Sequence, residues 1–236
     1  MKRLRYFIVL LIPFGVHAQE PVPGKWESEV ELGLLVTRGN TDTQNTNAKA
    51  TMVNDTNRWK HTGKLEVLNN SDEDTTTAER YFLSGKTAHK IDEKSYEFGL
   101  LTYDNDRFSG YDYRASASLG YGRTVIKTTA QSLDIEIGAG IRQSKIEDTG
   151  DTEDEGFLRS AAIFSWKVSD HATFGEELTV EAGEDSTIAK SITSLKSQVA
   201  GNLATKITYI VKNSTNVPVG VKETDIEMAI NLVLSF

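Results

Sequence analysis

Polarity along the chain alternates with a period of two over most of its length. From Ile226 to the C-terminus, Ile226, Met228, Ile230, Leu232, Leu234 and Phe236 interleave with Glu227, Ala229, Asn231, Val233 and Ser235. A helix would place Glu227 and Asn231 beside the apolar stripe, whereas the pleat of a strand puts them on the opposite face. The same pattern sets Trp26, Val30, Leu32, Leu34 and Val36 against Glu27, Glu29, Glu31, Gly33 and Thr37. It sets Tyr113, Ala115, Ala117, Leu119 and Tyr121 against Arg114, Ser116, Ser118 and Gly120, and Leu133, Ile135, Ile137 and Ile141 against Asp134, Glu136 and Arg142. Turn-forming clusters between such runs predict twelve strands, near 26–38, 43–54, 57–69, 77–90, 94–104, 110–126, 130–143, 157–168, 172–183, 187–200, 203–213 and 224–236. Many of these runs exceed the usual strand of a soluble sheet and match the length a tilted strand needs to cross hydrocarbon. The 187–200 run suits a helix as well as a strand by propensity, and is read as a strand.

The connections support a membrane barrel. With both termini inside, the inner turns (55–56, 91–93, 127–129, 169–171, 201–202) are short, and the outer loops (39–42, 70–76, 105–109, 144–156, 184–186, 214–223) hold most of the length and acid. Aromatic residues sort by strand end. Trp26, Trp59, Tyr96, Tyr121, Trp166, Phe174 and Phe236 lie at inner ends; Tyr81, Tyr103, Tyr111, Tyr113 and Phe157 lie near outer ones, which predicts two interfacial girdles. A soluble periplasmic β-barrel binding protein, with its apolar face inward, is the competing architecture.

The N-terminus reads as a signal peptide: basic Lys2, Arg3 and Arg5, an apolar core from Phe7 to Phe14, and a Val16-His17-Ala18 cleavage site after Ala18. The expected organisation is therefore a signal peptide over 1–18 and a barrel over 19–236. The absence of Cys removes disulfide scaffolds and thiolate chemistry. With 26 basic against 34 acidic residues and no basic cluster, the chain disfavours a nucleic acid partner.

Candidate chemistry is sparse. His61, His89 and His171 follow the signal segment and fall on unrelated strands or turns, and the chain has no GxSxG, HExxH, P-loop or GxGxxG. No catalytic residue, metal ligand or cofactor is assigned, although a barrel hydrolase with a dispersed triad is the alternative enzyme class. The inward polar face is more informative: Glu27, Glu29, Glu31, Arg58, Lys60, Lys64, Glu66, Arg80, Lys86, Arg114, Asp134, Glu136, Arg142, Arg159, Lys167, Glu177, Lys196, Asp225 and Glu227 are the expected lumen lining. Glu27, Glu29, Glu31, Asp225 and Glu227 would form an acidic wall where the first and last strands meet. Arg58, Lys60, Lys64, Arg80 and Lys86 would form a basic one. Such a lumen is either a self-paired plug or a lined channel, and a conducting one would weakly prefer cations. Carboxylates in loops 70–76 and 144–156 offer divalent cations a weak site, but they lack the register of an EF-hand and read better as solvated surface.

Three stretches carry a family resemblance: ELGLLVTRGNTDT (31–43), YEFGLLTYDNDRFSGYDYRASASLGYGRTV (96–125) and ETDIEMAINLVLSF (223–236). Together they resemble the DUF481 family, whose members include proteins described as salt-induced outer membrane proteins. The resemblance implies an outer-membrane address, contact with outer-membrane lipid and lipopolysaccharide, and recognition by the barrel assembly machinery. Met228, Ile230, Leu232, Leu234 and Phe236 resemble the terminal signal that this machinery reads, with Leu234 standing where many such strands carry an aromatic. The expectation is an all-β, antiparallel transmembrane barrel of a Gram-negative envelope, acting as a small pore or as a stress- or salt-adaptive structural protein.

Overall fold

The computed structural model describes residues 24–37, 43–72, 75–107, 109–218 and 220–236. The signal segment, its cleavage site after Ala18, and Glu73 and Asp74 of the 70–76 loop lie outside these residues. Twelve antiparallel strands form one closed barrel: β1 (Trp26–Thr37), β2 (Thr43–Asp55), β3 (Trp59–Asp72), β4 (Thr75–Lys90), β5 (Ser95–Asp106), β6 (Tyr111–Lys127), β7 (Gln131–Ile146), β8 (Thr152–Ser169), β9 (Ala172–Gly183), β10 (Thr187–Ala200), β11 (Leu203–Ser214) and β12 (Thr224–Ser235). Each strand pairs with its neighbours in sequence, and β1 pairs with β12 to close the ring. The 187–200 run is a strand.

The boundaries follow local chemistry. Three tight turns use one device, in which a side-chain oxygen accepts the N–H three residues on: Thr56 from Trp59 (2.9 Å), Asp92 from Ser95 (2.7 Å) and Thr128 from Gln131 (2.8 Å). Asp92 also accepts the Lys94 N–H, and the two backbone donors hold its carboxyl below the usual carboxylate range. Arg58 belongs to the first of these turns and is exposed, so it is not part of the lumen wall where the alternation had placed it. At the opposite end β8 starts at Thr152, five residues before the expected position, and Glu153, Asp154 and Glu155 extend the ladder with β7 rather than the loop.

The pleat separates two surfaces. Leu119, Ile137, Ile141, Met228 and Ile230 point outward and are 65–74% exposed, an apolar belt that water would not tolerate and hydrocarbon would cover. Trp26, Trp59, Tyr121 and Trp166 ring the turn end of this belt and Tyr81, Tyr103 and Tyr113 the loop end. Phe174 shares the outward face, packed on Phe164 at 6.4 Å. Glu176 is an acid on that face, accepting hydrogen bonds from Ser191 Oγ (2.8 Å) and Thr193 Oγ1 (2.6 Å).

Three aromatics expected in the girdles point inward instead. Tyr96 donates to Glu136 Oε1 at 2.6 Å, Phe157 lies beneath Arg142, and Tyr111 lies beneath Arg114. For Tyr111 the cause is a register shift between Tyr111 and Tyr113 that inverts the parity at the end of β6. For Tyr96 and Phe157, as for Phe98, the wall opposite is glycine. A Cβ at Gly120 would sit 2.6 Å from Phe98 Cζ, one at Gly140 would sit 2.7 Å from Phe157 Cζ, and one at Gly122 would fall onto the Tyr96 ring. The GYG and GAG segments of β6 and β7 are therefore seats for rings lying flat on the lumen wall.

Two stability measurements check this architecture. Ile230→Arg should cost about 2–4 kcal/mol in lipid vesicles, whereas Thr51→Arg, aimed into open lumen, should cost less than about 1 kcal/mol; equal costs in urea titrations would invert the assigned faces. Gly122→Ala should destabilise by about 1–3 kcal/mol, and most of that cost should vanish in the background Tyr96→Ala, because the added methyl then has room.

Candidate functional site in the barrel lumen

Charged side chains on the inner face pair across strands and across the bore. On the β1 side, Glu29 bonds Lys196 of β10, and Glu31 bonds Lys206 of β11 (2.7 Å) and Asn231 of β12 (3.1 Å). Glu29 and Glu31 of the acidic wall are thus neutralised by lysines that reach over β12 from β10 and β11, which weakens the ground for a cation preference. Glu27 faces the cavity at the turn end, and Asp225 lies at the loop end opposite Lys212 in the β11–β12 ladder.

The basic wall is paired too. Lys64 reaches Glu177 at 3.6 Å from β3 to β9, strands diametrically opposed in a ring of twelve, so this pair crosses the bore. Arg80 grips Asp104 through Nε (2.8 Å) and Nη2 (3.1 Å) and touches Glu227 at 3.4 Å. Lys86 bonds Glu136, whose side chain is wholly buried and also accepts from Arg159 Nη1 (2.9 Å) and the Tyr96 hydroxyl. Phe98 lies between Lys86 and Arg159, 4.6 and 5.5 Å from their charged atoms, so both cations gain an aromatic face as well as a carboxylate. Arg142 holds Glu155 (2.6 Å), Glu181 (3.1 Å) and Ser186 (3.0 Å). Removing one carboxylate from such a cluster would strand buried charge, which is why these groups occur as networks.

What remains open is substantial. A cavity of about 1120 Å³ occupies the turn end, lined by Glu27, Glu29, Lys64, His171, Lys196 and Phe236 among others. A second, of about 740 Å³, runs from turn 92–94 past Lys60, Lys86 and Asp134 to Arg80, Asp104, Arg114 and Lys212. Thr51, Lys64, Glu66, Ile163, Glu177 and Ile192 line both, so they meet at a waist crossed by the Lys64–Glu177 pair. At the turn end the glycine-and-aromatic wall of β5 to β7 is filled and the larger cavity lies against β1 to β3 and β8 to β12, whereas the smaller cavity is lined by β2 through β11.

Sequence reasoning missed several lumen residues: Lys49, Asp104, Glu155, Glu181, Lys190, Lys206 and Lys212 all line the bore or pair within it. In β11 a signal existed, since Lys206, Thr208 and Lys212 share a parity opposite to Ile207, Tyr209 and Val211. In β10 each face mixes apolar and polar residues, Ile188 and Ile192 with Lys190 and Lys196 on one and Leu195 and Val199 with Thr187, Ser191 and Thr193 on the other, so apolar parity alone does not choose between them. The acidic loop carboxylates also acquire protein partners, with Asp154 taking Gln143 Nε2 at 2.9 Å and Glu155 turned in to Arg142.

At the loop end the β11–β12 connection (215–223) crosses the mouth to the β5–β6 loop on the opposite wall. Gly110, at φ 76°, sits so close to it that a Cβ there would lie 2.9 Å from Val221 Cγ2 and 3.0 Å from Pro218 Cγ. Asn216 ties the same connection to the Asp185 carbonyl.

Known proteins share this architecture. The NanC porin superposes with a TM-score of 0.53 at 13% identity, over 89% of this chain and 98% of that one. An outer membrane channel from Pseudomonas putida F1 superposes with a TM-score of 0.57 at 10% identity, over 95% of this chain and 100% of that one. At such identities the likeness is one of fold. In sequence, the "Uncharacterized protein YdiY" of Escherichia coli (strain K12) is 28% identical over 196 residues, covering 82% of this chain and 76% of that protein. Residues 30–236 match the family described as "Protein of unknown function, DUF481", and the chain belongs to that family.

Proposed function

We propose that the protein is an outer-membrane channel for small charged solutes, exported by its N-terminal segment and inserted through its apolar belt. The observation that carries this reading is the pair of lumen cavities that share one waist: a barrel evolved only as a wall would fill its bore with side chains, as its β5–β8 side does. The lining is charged, which suits hydrated solutes. The β11–β12 connection acts as a strap over the loop-end mouth, narrowing passage without sealing the turn end.

Single-channel recording of the reconstituted protein tests this. The wild type should conduct weakly. Replacing residues 215–222 by Asn-Gly should raise conductance about twofold or more, since the strap is then gone. That replacement suits the hairpin, because Ser214 N already donates to Glu223 O at 2.8 Å. Silence of both proteins would favour a closed, structural barrel. Export and assembly are tested at the terminal residue. Phe236 keeps its backbone bonds to Ser28 when only the ring is changed, so Phe236→Ala should lower outer-membrane levels in cells while leaving folding into detergent intact.

A further inference from the structure

Toward the loop end of the bore, four cations converge around one central acid, Asp104, with Asp225 opposite Lys212 in the β11–β12 ladder. Arg80 and Arg114 project from β4 and β6, and Lys190 and Lys212 from β10 and β11 on the opposite wall. Lys190 and Lys212 are direct cross-strand partners, an arrangement of like charges that destabilises a sheet unless something lies between them. Asp104, the central acid, is already gripped at both oxygens by Arg80, and Lys212 stands off at 3.7 Å. Glu227 engages Arg80 at 3.4 Å and Glu66 engages Lys49 at 3.7 Å. Among the described residues, no carboxylate lies within salt-bridge distance of Arg114 or Lys190, although Asp104 faces Arg114 across the ladder. Each cation rests on a ring: Arg114 lies over Tyr111 at 4.7 Å and Lys190 over Phe82 at 5.6 Å.

We propose that this cluster is an oxyanion-binding site, in which Arg114, Lys190 and Lys212 bind the carboxylate or phosphate group of a small solute in the 740 Å³ cavity they border. The chemistry follows from the donors. A guanidinium offers a planar fork to two oxygens, two ammonium groups add point charges from the facing wall, and the aromatic floors leave the outward N–H groups free for a ligand. Burial away from bulk water strengthens each contact, and an anion between Lys190 and Lys212 removes the repulsion that the empty ladder leaves. The site would make an anion the favoured permeant, opposite to what the acidic wall alone suggests.

The proposal rests on the channel reading only for transport; binding can be measured without it. Inorganic phosphate titrated into the full folded barrel in detergent, followed by calorimetry, should show saturable binding. The double variant Arg114→Gln/Lys190→Gln should weaken it about tenfold or more, as expected for lost charged hydrogen bonds. Lys60→Gln removes a charge at the turn end of the same cavity, eight ladder positions from Arg80, and should leave binding within about twofold, since that separation exceeds the screening length. Folding is checked by resistance to unfolding in unheated detergent gels. Should the double variant not fold, Lys190→Gln alone should weaken binding about fivefold. Absence of phosphate binding, binding unaltered by these variants, or an equal loss with Lys60→Gln would each overturn the site. Binding without conductance would retain the site and remove the channel; conductance without binding would do the reverse. In a conducting protein, a reversal potential favouring chloride that moves toward potassium in Lys190→Gln supports the site, and potassium preference in the wild type counts against it.

Discussion

Closure of the β1–β12 seam is the constraint on which everything else depends. In hydrocarbon a strand edge leaves backbone groups with no partner, so only a ring without edges is stable. Yet this seam is the shortest in the barrel among the described residues: its register runs from Glu29↔Ser235 to Leu32↔Leu232, whereas β1 and β2 are paired along the whole of β1. Ser28 and Phe236 extend it by exchanging two backbone bonds, of 2.6 and 2.8 Å. The rest of the reinforcement comes from inside. Lys206 reaches over β12 and Lys196 over β11 and β12 to Glu31 and Glu29, and Asn231 bonds Glu31 directly, so β10, β11 and β12 are all tied to β1 where the ladder is thin. The adjacent Gly33 admits this packing, since a Cβ there would lie 2.5 Å from Asn231 Oδ1 and 2.7 Å from Asn47 Oδ1. Glu29 and Glu31 are thus first a structural device, their charge engaged at the seam.

Most of the fold was legible because a period of two is hard to mistake when one face must meet lipid and the other must hold charge. The β7, β6 and β12 patterns specify face, length and order, and the strands they predict are the strands observed. What was not legible has a common cause. Parity reads a face only while the register is unbroken and only where the two faces differ in polarity. The shift after Tyr111 defeats the first condition. Tyr96 and Phe157 defeat the second, for an aromatic at a strand end fits a headgroup girdle or a lumen wall equally well until the neighbouring strand is known to supply glycine. Lys190 escaped notice for the same reason, since Ser191 and Thr193 beside it are polar yet face outward around Glu176.

The family motif gains a physical meaning from these contacts. In YEFGLLTYDND and YDYRASASLGYGR, the two arms of one hairpin, Tyr96 lies on Gly122, Phe98 on Gly120, and Thr102 meets Ser116 at 2.7 Å. Asp104, opposite Arg114 in the ladder, receives Arg80 from the strand beyond. The motif therefore encodes the interior of the β5–β6 hairpin: flat rings toward the turn end, hydroxyls at mid-height, and a charged rim toward the loops.

That arrangement also decides where the bore lies. Rings seated on glycine, with Glu136 buried among Lys86, Arg159 and Tyr96, turn one side of the lumen into a core, so open volume is displaced toward the opposite side. The open volume near the loop end runs along the wall that carries Lys190 and Lys212, and meets Arg80 and Arg114 where Asp104 draws the two walls together. In a chain with more acid than base overall, the charge that faces this volume is set by these few side chains and not by the net charge of the protein. The aromatic packing of one hairpin thus decides which ionic groups line the open part of the lumen, which makes the charge of the bore a consequence of where glycine occurs in β6 and β7.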